Sequence, residues 1–202
     1  MKIILTALLT LLSFTANAQN NPWQTTAAPA DAMANQKYLK GAVPMTDGRI
    51  VFATDIEAPG KTADQLYNIV LTMMEQLTHQ PEQTEQSRVA LADRDKHQIV
   101  GNMQEWLVFK NTPLVLDRTR LLYHLIADCR DGSVSLQMTR IIYIYDEERD
   151  PVTYRAEEWI DDHYGLNRKQ TKLARVSGKF RSKTIDRKDY IFDTFKKQLT
   201  QP

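Results

Sequence analysis

Two long stretches of alternating apolar residues, joined by the dipeptide Asp131-Gly132, constrain the fold more than any other feature of the chain. The stretches cover residues 114–129 and 133–145. A two-residue period of apolar side chains is typical of β-strands, and Asp-Gly between two such runs favours a tight hairpin turn. The sequence therefore predicts an antiparallel hairpin with two long strands.

Three further segments have a strand-like composition or period, and turn-forming residues bound each of them. They are residues 49–56, 87–93 and 99–109, and Gly101 is predicted to form a β-bulge in the third. The intervening breaks are Asp47-Gly48, Arg94-Asp95-Lys96 and Asn111-Thr112-Pro113. Together with the hairpin, these segments predict one antiparallel sheet of about five strands.

Helices are predicted at two places with helical periodicity and at one short segment between them. Thr62 and Gln65 have the spacing of a capping box, and the first helix is predicted to end before Pro81. Its apolar stripe is Leu66, Ile69, Val70, Met73, Met74 and Leu77. A short helix is predicted over residues 154–162 and a closing helix over residues 184–199. The order strand, helix, antiparallel strands, helix predicts an α+β fold with the helices packed on one face of the sheet.

The second strand of the hairpin has apolar residues on both of its predicted faces. Val134, Leu136 and Met138 lie on one face, whereas Ile141 and Tyr143 lie on the other. A sheet that carries helices on one side only is expected to have one wet face. We therefore expect the second face to be covered by the N-terminal lead-in, by the C-terminal segment or by a partner, and we favour cover from within the chain.

Residues 1–18 have the features of a cleaved secretory signal peptide. Lys2 is followed by an apolar run that continues to Phe14, and Ala16-Asn17-Ala18 suits cleavage before Gln19. The alternatives are an uncleaved anchor or a buried helix, but the run is shorter than the roughly 20 residues of a membrane-spanning helix. No cysteine lies at the cleavage site, so no lipid anchor is predicted. The protein is expected in the periplasm or at the cell exterior, with no transmembrane segment after cleavage.

The predicted domain organisation follows from the composition of the next segment. Residues 19–34 are rich in Asn, Gln, Ala, Thr and Pro and lack apolar periodicity. We predict a signal peptide over residues 1–18, a flexible lead-in over residues 19–46 and a single domain over residues 47–200.

Charge and cysteine content exclude several classes of function. The chain has 26 Lys and Arg and 25 Asp and Glu, so removal of Lys2 leaves a neutral balance. Such a balance argues against wholesale binding to nucleic acid or to an anionic membrane. Cys129 is the only cysteine, which excludes an intramolecular disulfide and a two-cysteine metal site. The sequence contains no glycine-rich phosphate loop, nucleophile elbow or His-Glu-x-x-His motif, so we predict no cofactor, no metal and no catalytic residue.

A run of basic residues near the C-terminus is the candidate binding segment. It consists of Arg168, Lys169, Lys172, Arg175, Lys179, Arg181 and Lys183, and no acidic residue occurs within it. Such a patch attracts phosphate, an anionic polysaccharide or an acidic partner. The alternative is a solvated loop balanced by the acidic residues just before it.

Those acidic residues form the densest titratable cluster. On the predicted short helix, Glu157 and Asp161 share one face, as do Glu158 and Asp162, and His163 follows. Paired carboxylates bind divalent metals or act as acid and base in glycoside hydrolysis. The alternative is a solvated helix face with Trp159 and Ile160 on its inner side.

Several segments resemble a family of small exported bacterial proteins of unknown function with a fold like that of the TATA-binding protein. The segments are residues 38–44 (YLKGAVP), 47–52 (DGRIVF), 58–61 (APGK), 156–160 (AEEWI), 178–181 (GKFR) and 184–186 (TID). The resemblance extends over residues 38–199. It implies a TBP-like α+β fold with a single curved antiparallel sheet, and it implies no activity or catalytic residues. DNA binding does not follow from likeness of fold.

Two functions are consistent with these features. The first is a non-catalytic binding or assembly module of the bacterial envelope, which contacts an envelope protein or an anionic envelope component through its basic segment or its sheet. The second is a hydrolase that acts on an envelope polymer through residues 157–163. The sequence leaves the oligomeric state open.

Overall fold

The structure is a computed structural model that describes residues 36–201. The predicted signal peptide and residues 19–35 of the predicted lead-in lie outside the described residues. The strands are β1 (Met45–Thr46), β2 (Arg49–Glu57), β3 (Arg88–Asp93), β4 (Gln98–Thr112), β5 (Val115–Arg130), β6 (Ser133–Tyr145) and β7 (Val152–Arg155). The α-helices are α1 (Ala63–Thr78) and α2 (Gly178–Leu199), and two short 3₁₀ helices span Gln36–Tyr38 and Ala156–Glu158.

The strands form a single curved antiparallel sheet in the order β1-β2-β6-β5-β4-β3, with β7 paired to β6. The predicted β5–β6 hairpin is confirmed, and Arg130 pairs with Ser133 on either side of the Asp131-Gly132 turn. Gly132 adopts a φ of 76°, which suits a residue without a Cβ atom. The Asp-Gly pair therefore sets the register of the two longest strands.

Both helices pack on one face of this sheet, which confirms the predicted α+β architecture. The capping box is present, because the Gln65 amide donates to the Thr62 hydroxyl at 3.3 Å and the Thr62 amide donates to the Gln65 side chain at 2.8 Å. The buried side of α1 is formed by Leu66, Tyr67, Val70, Met73, Met74 and Leu77. This apolar stripe and the inner side chains of β4 and β5, such as Leu107 and Leu125, form the core.

The closing helix begins at Gly178, six residues before its predicted start at Thr184. Its first two turns bury Phe180 together with Gly178, Arg181, Ser182 and Thr184. Because three of these five residues are polar, the apolar periodicity is visible only further along the helix. Arg181 has its partners elsewhere in the fold, whereas Ser182 donates to the Lys179 carbonyl of the same helix.

A bulge in β6 explains why apolar residues occupied both predicted faces of that strand. The pairing with β5 shifts between Leu122 and His124, and Arg140 adopts a φ of 55°. Met138 is buried before the bulge, and Ile141 and Tyr143 are buried after it. The extra residue thus changes which alternate positions face the helices, so most of the apolar residues of β6 lie on the same inner face.

The bulge predicted at Gly101 is absent, and the bulge of β4 lies further along the strand, between Val108 and Lys110. Gly101 pairs regularly with Val89, and an irregularity lies between Val89 and Leu91 in the neighbouring edge strand. The prediction of a bulge at Gly101 was therefore wrong.

The opposite face of the sheet, which we call the open face, carries neither helix. Leu122, Ile126, Ile142 and Ile144 point to this side and are half-buried by neighbouring side chains. The expected intramolecular cover is therefore not provided by either helix. No helix within residues 36–201 has the length and apolar character needed to cross a membrane.

The short helix predicted over residues 154–162 is wrong. Residues 152–155 instead form β7 at the edge of β6, followed by a single 3₁₀ turn over Ala156–Glu158. Trp159 stacks on Tyr154 with ring centroids 3.9 Å apart and an interplanar angle of 13°. Pairing with β6 and stacking of Trp159 on Tyr154 therefore determine the conformation of residues 152–159.

Residues 36–46 belong to the folded domain, although we predicted them as the end of a flexible lead-in. Tyr38, Leu39 and Val43 are buried in the core cluster. The Tyr38 hydroxyl donates to Asp186 of α2 at 2.8 Å. The domain therefore begins no later than residue 36. No local pattern indicates this, because the Tyr38 contact is made with α2, which is distant along the chain.

Beneath the helices, a buried ion pair connects α2 to the sheet. Arg187 donates from Nε and Nη2 to the two carboxylate oxygens of Glu105, at 2.8 and 2.6 Å, and both side chains are fully buried. Gln83 also donates to Glu105. Burial opposes the charge on Arg187, but Glu105 overcomes this effect and raises the Arg187 pKa above its ordinary value.

Candidate functional site

The predicted binding segment is a structured loop that leads into the N-terminus of α2. We define the basic loop as residues 166–176. Its two sides are joined by the Leu166–Leu173 bridge. At the tip, the Asn167 side-chain oxygen accepts hydrogen bonds from the amides of Thr171 at 2.9 Å and Lys172 at 3.1 Å. The sequence folds in this way because an Asn side chain readily substitutes for a backbone acceptor in a turn.

The base of the basic loop is anchored in the domain. Leu166 and Leu173 are buried, and the Ser177 hydroxyl donates to the Tyr164 carbonyl at 2.6 Å. Gly178 lies so close to Leu173 that an added Cβ atom would be 2.7 Å from the leucine Cβ. The loop is therefore held against α2 while its tip is presented to solvent.

Four of the seven predicted site residues lie together on this loop and are exposed: Arg168, Lys169, Lys172 and Arg175. Their side chains make no hydrogen bond or ion pair within residues 36–201. Most exposed cations of a folded protein contribute little to stability, so their loss is expected to leave the fold intact. These four are available to an anionic ligand.

Lys179 has a different environment. Its ammonium group lies 2.6 Å from Asp117 of β5 and 3.2 Å from the Tyr145 hydroxyl. It also lies over the rings of Phe109 and Tyr145, at 4.6 and 4.7 Å from their centroids. Lys179 therefore joins the start of α2 to the β4–β5 hairpin.

Arg181 is fully buried, and its guanidinium group is occupied by acceptors within the domain. It donates to the carbonyls of Tyr38 at 2.6 Å, Leu39 at 2.6 Å and Ile160 at 2.7 Å, and to Asp162 at 2.7 Å. Burial lowers the pKa of this guanidinium, and Asp162 opposes the effect. Arg181 therefore connects the N-terminal segment to α2 and is not accessible to an external ligand.

Lys183 is half-buried on the next turn of α2. Burial lowers its pKa from the ordinary value, while Asp186 acts in the opposite direction. The structure therefore divides the predicted segment into four exposed cations on the loop and three cations in contact with the domain.

The acidic residues 157–163 do not converge on one cleft. Glu157 accepts a hydrogen bond from the Ile50 amide at 3.1 Å. Asp161 accepts from the amides of His163 at 3.0 Å and Tyr164 at 2.7 Å. Glu157, Asp161 and Asp162 thus accept hydrogen bonds from separate partners, and the helix that would have aligned the carboxylates is absent.

Other candidate chemical groups also have structural environments. Burial is the main cause that raises the pKa of the Cys129 thiol to about 12, so the thiol is protonated at neutral pH. The pKa of His124 is lowered by burial and by Arg140. Within residues 36–201, no group of three or more His, Cys, Asp or Glu side chains is arranged to hold a metal ion.

Sequence reasoning missed one exposed feature, the turn of the β4–β5 hairpin. The leucine predicted to begin a strand, Leu114, lies in the turn and is 95% exposed. Its neighbours Val115 and Leu116 are 44% and 53% exposed. The signal in the sequence was an apolar triplet directly after Pro113, where a turn is expected to be polar.

Comparisons with known proteins agree with this fold. Residues 52–144 match the model of a domain of unknown function (DUF4468) with a TBP-like fold. The crystal structure of a DUF4468 family protein from Bacteroides ovatus is 36% identical in sequence, with a TM-score of 0.75 over 82% of this chain and 95% of that chain. A TBP-like protein from Parabacteroides distasonis is 18% identical, with a TM-score of 0.61 over 78% of this chain and 96% of that chain, and shows likeness of fold alone. No curated protein matches the chain significantly.

Proposed function

Because the chain belongs to the DUF4468 family of domains of unknown function with a TBP-like fold, we propose a function from its own surface chemistry. We propose that it is an exported, non-catalytic binding or assembly module of the bacterial envelope. In this proposal the basic loop contacts an anionic envelope component through Arg168, Lys169, Lys172 and Arg175.

The observation that carries this proposal is the clustering, within eight residues of one anchored loop, of four exposed cations without ion-pair partners in the described part of the chain. Arg118, Arg120 and Lys188, by contrast, form ion pairs with neighbouring carboxylates. The four cations of the basic loop have no such partner within residues 36–201. Unneutralised charges on an anchored loop attract anions and lose little conformational freedom of the backbone when they bind.

Export is supported by the sequence of residues 1–18, which combines Lys2, an apolar run and a small-residue cleavage site. A binding role is supported by the arrangement of residues 157–163, where the carboxylates serve as separate hydrogen-bond acceptors. General acid–base catalysis on a polymer requires two such groups to converge on one bond.

Cross-linking in the native cells, followed by mass spectrometry, tests the proposal. The test variant is Arg168→Glu combined with Lys172→Glu and Arg175→Glu, and the matched control is Lys196→Glu with Lys197→Glu at the exposed C-terminal end of α2. We expect the loop variant to lose cross-links to an anionic envelope component and the control to retain them. Unchanged cross-links in the loop variant would overturn the assignment of the basic loop.

A further inference from the structure

The β4–β5 hairpin projects beyond the rest of the sheet. β6 pairs with β5 no further than Thr119, and β3 pairs with β4 only as far as Asn102. Residues 108–118 are therefore paired only with each other, in a two-stranded ribbon that ends at Pro113 and Leu114. A ribbon of this kind presents its turn to whatever lies beyond the domain.

The turn of this ribbon is aliphatic. We define the hairpin tip as Leu114, Val115 and Leu116, whose exposed fractions are 95%, 44% and 53%. Exposure of neighbouring aliphatic side chains is unfavourable in water and marks a contact surface. The tip itself contains no aromatic ring, so it lacks the flat platform on which sugars stack. Three side chains are also far fewer than the roughly 20 residues a side of a standard protein interface.

The ribbon that carries the hairpin tip contacts the start of α2, which directly follows the basic loop. The ammonium group of Lys179, at the start of α2, is 2.6 Å from Asp117, which directly follows the tip. The rings of Phe109 and Phe180 pack with their centroids 4.6 Å apart. Because the basic loop leads into this turn of α2, the loop and the ribbon that carries the hairpin tip are connected through Lys179 and Phe180.

Carboxylates near the tip are largely neutralised by neighbouring cations. Glu148 lies 2.7 Å from Arg118, and Glu147 lies 2.8 Å from Arg120. The neutral balance of the whole chain therefore includes many local pairs. The four exposed cations of the basic loop, by contrast, have no carboxylate partner within residues 36–201.

We propose that the hairpin tip and the basic loop dock on a membrane surface that contains anionic phospholipid. The hairpin tip inserts at the boundary between headgroups and acyl chains, and the basic loop lies against the lipid phosphates. Aliphatic side chains flanked by cations are the combination by which peripheral proteins bind such surfaces. The inference rests on the proposed function, because it identifies the anionic envelope component as phospholipid.

Co-sedimentation with vesicles tests this inference. The protein, processed by and purified from its native cells, is mixed with vesicles of phosphatidylcholine alone or with about one third phosphatidylglycerol. We expect binding only to the anionic vesicles, and binding weaker by about tenfold or more in the variant Leu114→Ser with Leu116→Ser, which removes two apolar side chains from the contact. The control Leu91→Ser, on edge strand β3, is expected to bind like the parent protein, because Leu91 pairs with the far end of β4. Equal binding by the tip variant and its control would overturn insertion of the tip.

A fluorescent probe distinguishes insertion from simple charge attraction. In Leu114→Cys, an environment-sensitive dye is expected to label the new thiol alone, because Cys129 is buried. Its emission is expected to brighten on addition of the anionic vesicles, because insertion moves the dye into apolar surroundings. The same dye in Leu91→Cys is expected to remain unchanged. Unchanged emission at residue 114 would also overturn insertion.

A heparin column separates failure of this inference from failure of the proposed function. One outcome is that the parent protein is retained on heparin, the triple loop variant is not, and the parent protein does not bind anionic vesicles. This outcome would overturn the lipid assignment and leave the basic loop as a site for another anion, such as a polysaccharide. Absence of both vesicle binding and loop-dependent retention would overturn both proposals.

Discussion

Four arginines between residues 168 and 187 show how differently the fold uses one side chain. Arg168 and Arg175 are exposed on the basic loop, whereas Arg181 and Arg187 are fully buried under α2. Arg181 and Arg187 lie on the inner side of α2, where the fold places acceptors around each guanidinium group. A buried guanidinium is tolerated when carbonyls or carboxylates satisfy its donors.

The buried ion pair predicts strongly non-additive mutations. Glu105→Leu and Arg187→Met are each expected to lower the free energy of unfolding by about 3–5 kcal/mol, because each leaves the other charge buried without its main partner. The double variant is expected to lose less than the sum of the two. Urea denaturation measures all three, and Arg94→Met, at an exposed ion pair with Asp64, is the control with a loss of about 1 kcal/mol or less. Single variants as mild as this control would contradict the prediction.

The raised pKa of the Cys129 thiol predicts slower labelling of the folded chain than of the unfolded chain, and a free energy of unfolding that depends on pH. With a pKa of about 12, raised by burial and by Asp128, roughly one native thiol in a thousand is ionised at pH 9, the ordinary thiol pKa. Iodoacetamide is therefore expected to label the native protein at least about 100-fold more slowly than the urea-unfolded protein. The proton is retained only in the folded state between pH 9 and 12, so this thiol makes stability fall as the pH rises through that range. Equal labelling rates would show that Cys129 is accessible.

At the scale of elements, the β6 bulge determines how a strand with apolar residues at irregular positions fits a sheet with one covered face. Arg140 is the additional residue, and its left-handed backbone conformation is uncommon for a residue with a Cβ atom. The open face consequently contains Ile142 and Ile144 at positions that follow the bulge. The element is therefore defined by one backbone conformation as well as by its hydrophobic pattern.

The bulge predicts that glycine at residue 140 is less destabilising than valine. Arg140→Gly is expected to change the free energy of unfolding by about 1 kcal/mol or less, because glycine adopts a positive φ without steric cost. Arg140→Val is expected to lose about 1–2 kcal/mol more than Arg140→Gly, because a β-branched side chain is disfavoured there. Chemical denaturation measures both variants. A valine variant as stable as the glycine variant would show that the bulge is not maintained in solution.

At the scale of the whole molecule, Arg181 holds together segments that are far apart in sequence. Its donors reach the carbonyls of Tyr38 and Leu39 and the side chain of Asp162, and Asp162 in turn accepts from the Gly41 amide at 2.8 Å. The start of the domain, the segment before the basic loop and α2 thus meet at one guanidinium group. The N-terminal segment is packed on the domain because of this contact and the burial of its apolar side chains.

Loss of Arg181 is therefore expected to loosen the N-terminal segment before the sheet unfolds. In Arg181→Met, exchange of the amides of Gly41 and Ala42 is expected to accelerate by about 100-fold, since several buried hydrogen bonds are lost. Hydrogen exchange with mass spectrometry measures this segment against β5 as an internal reference. Equal acceleration in both places would indicate global destabilisation and would contradict the role assigned to Arg181.

The predicted site shows where sequence reasoning was sufficient and where it was not. The exposed cations Arg168 and Lys172 were identified from a local run of basic residues. The same run included Arg181, because the sequence contains no local sign that two of its acceptors, the Tyr38 and Leu39 carbonyls, lie 143 and 142 residues away. The hairpin tip was missed for a similar reason, since Leu114 extends an apolar strand pattern and only the pairing of β4 with β5 shows that it lies in the turn.

The sequence by itself determined the order of the two α-helices and the five longest strands, because turns, caps and the period of apolar residues act over a few neighbouring positions. Asp131-Gly132 and the Thr62 capping box were identified in this way, as was the fold through its family resemblance. Only the tertiary structure decided which polar groups are buried and which strand positions face the helices. Those outcomes depend on acceptors, bulges and packing surfaces supplied by distant segments, so no local pattern contains them.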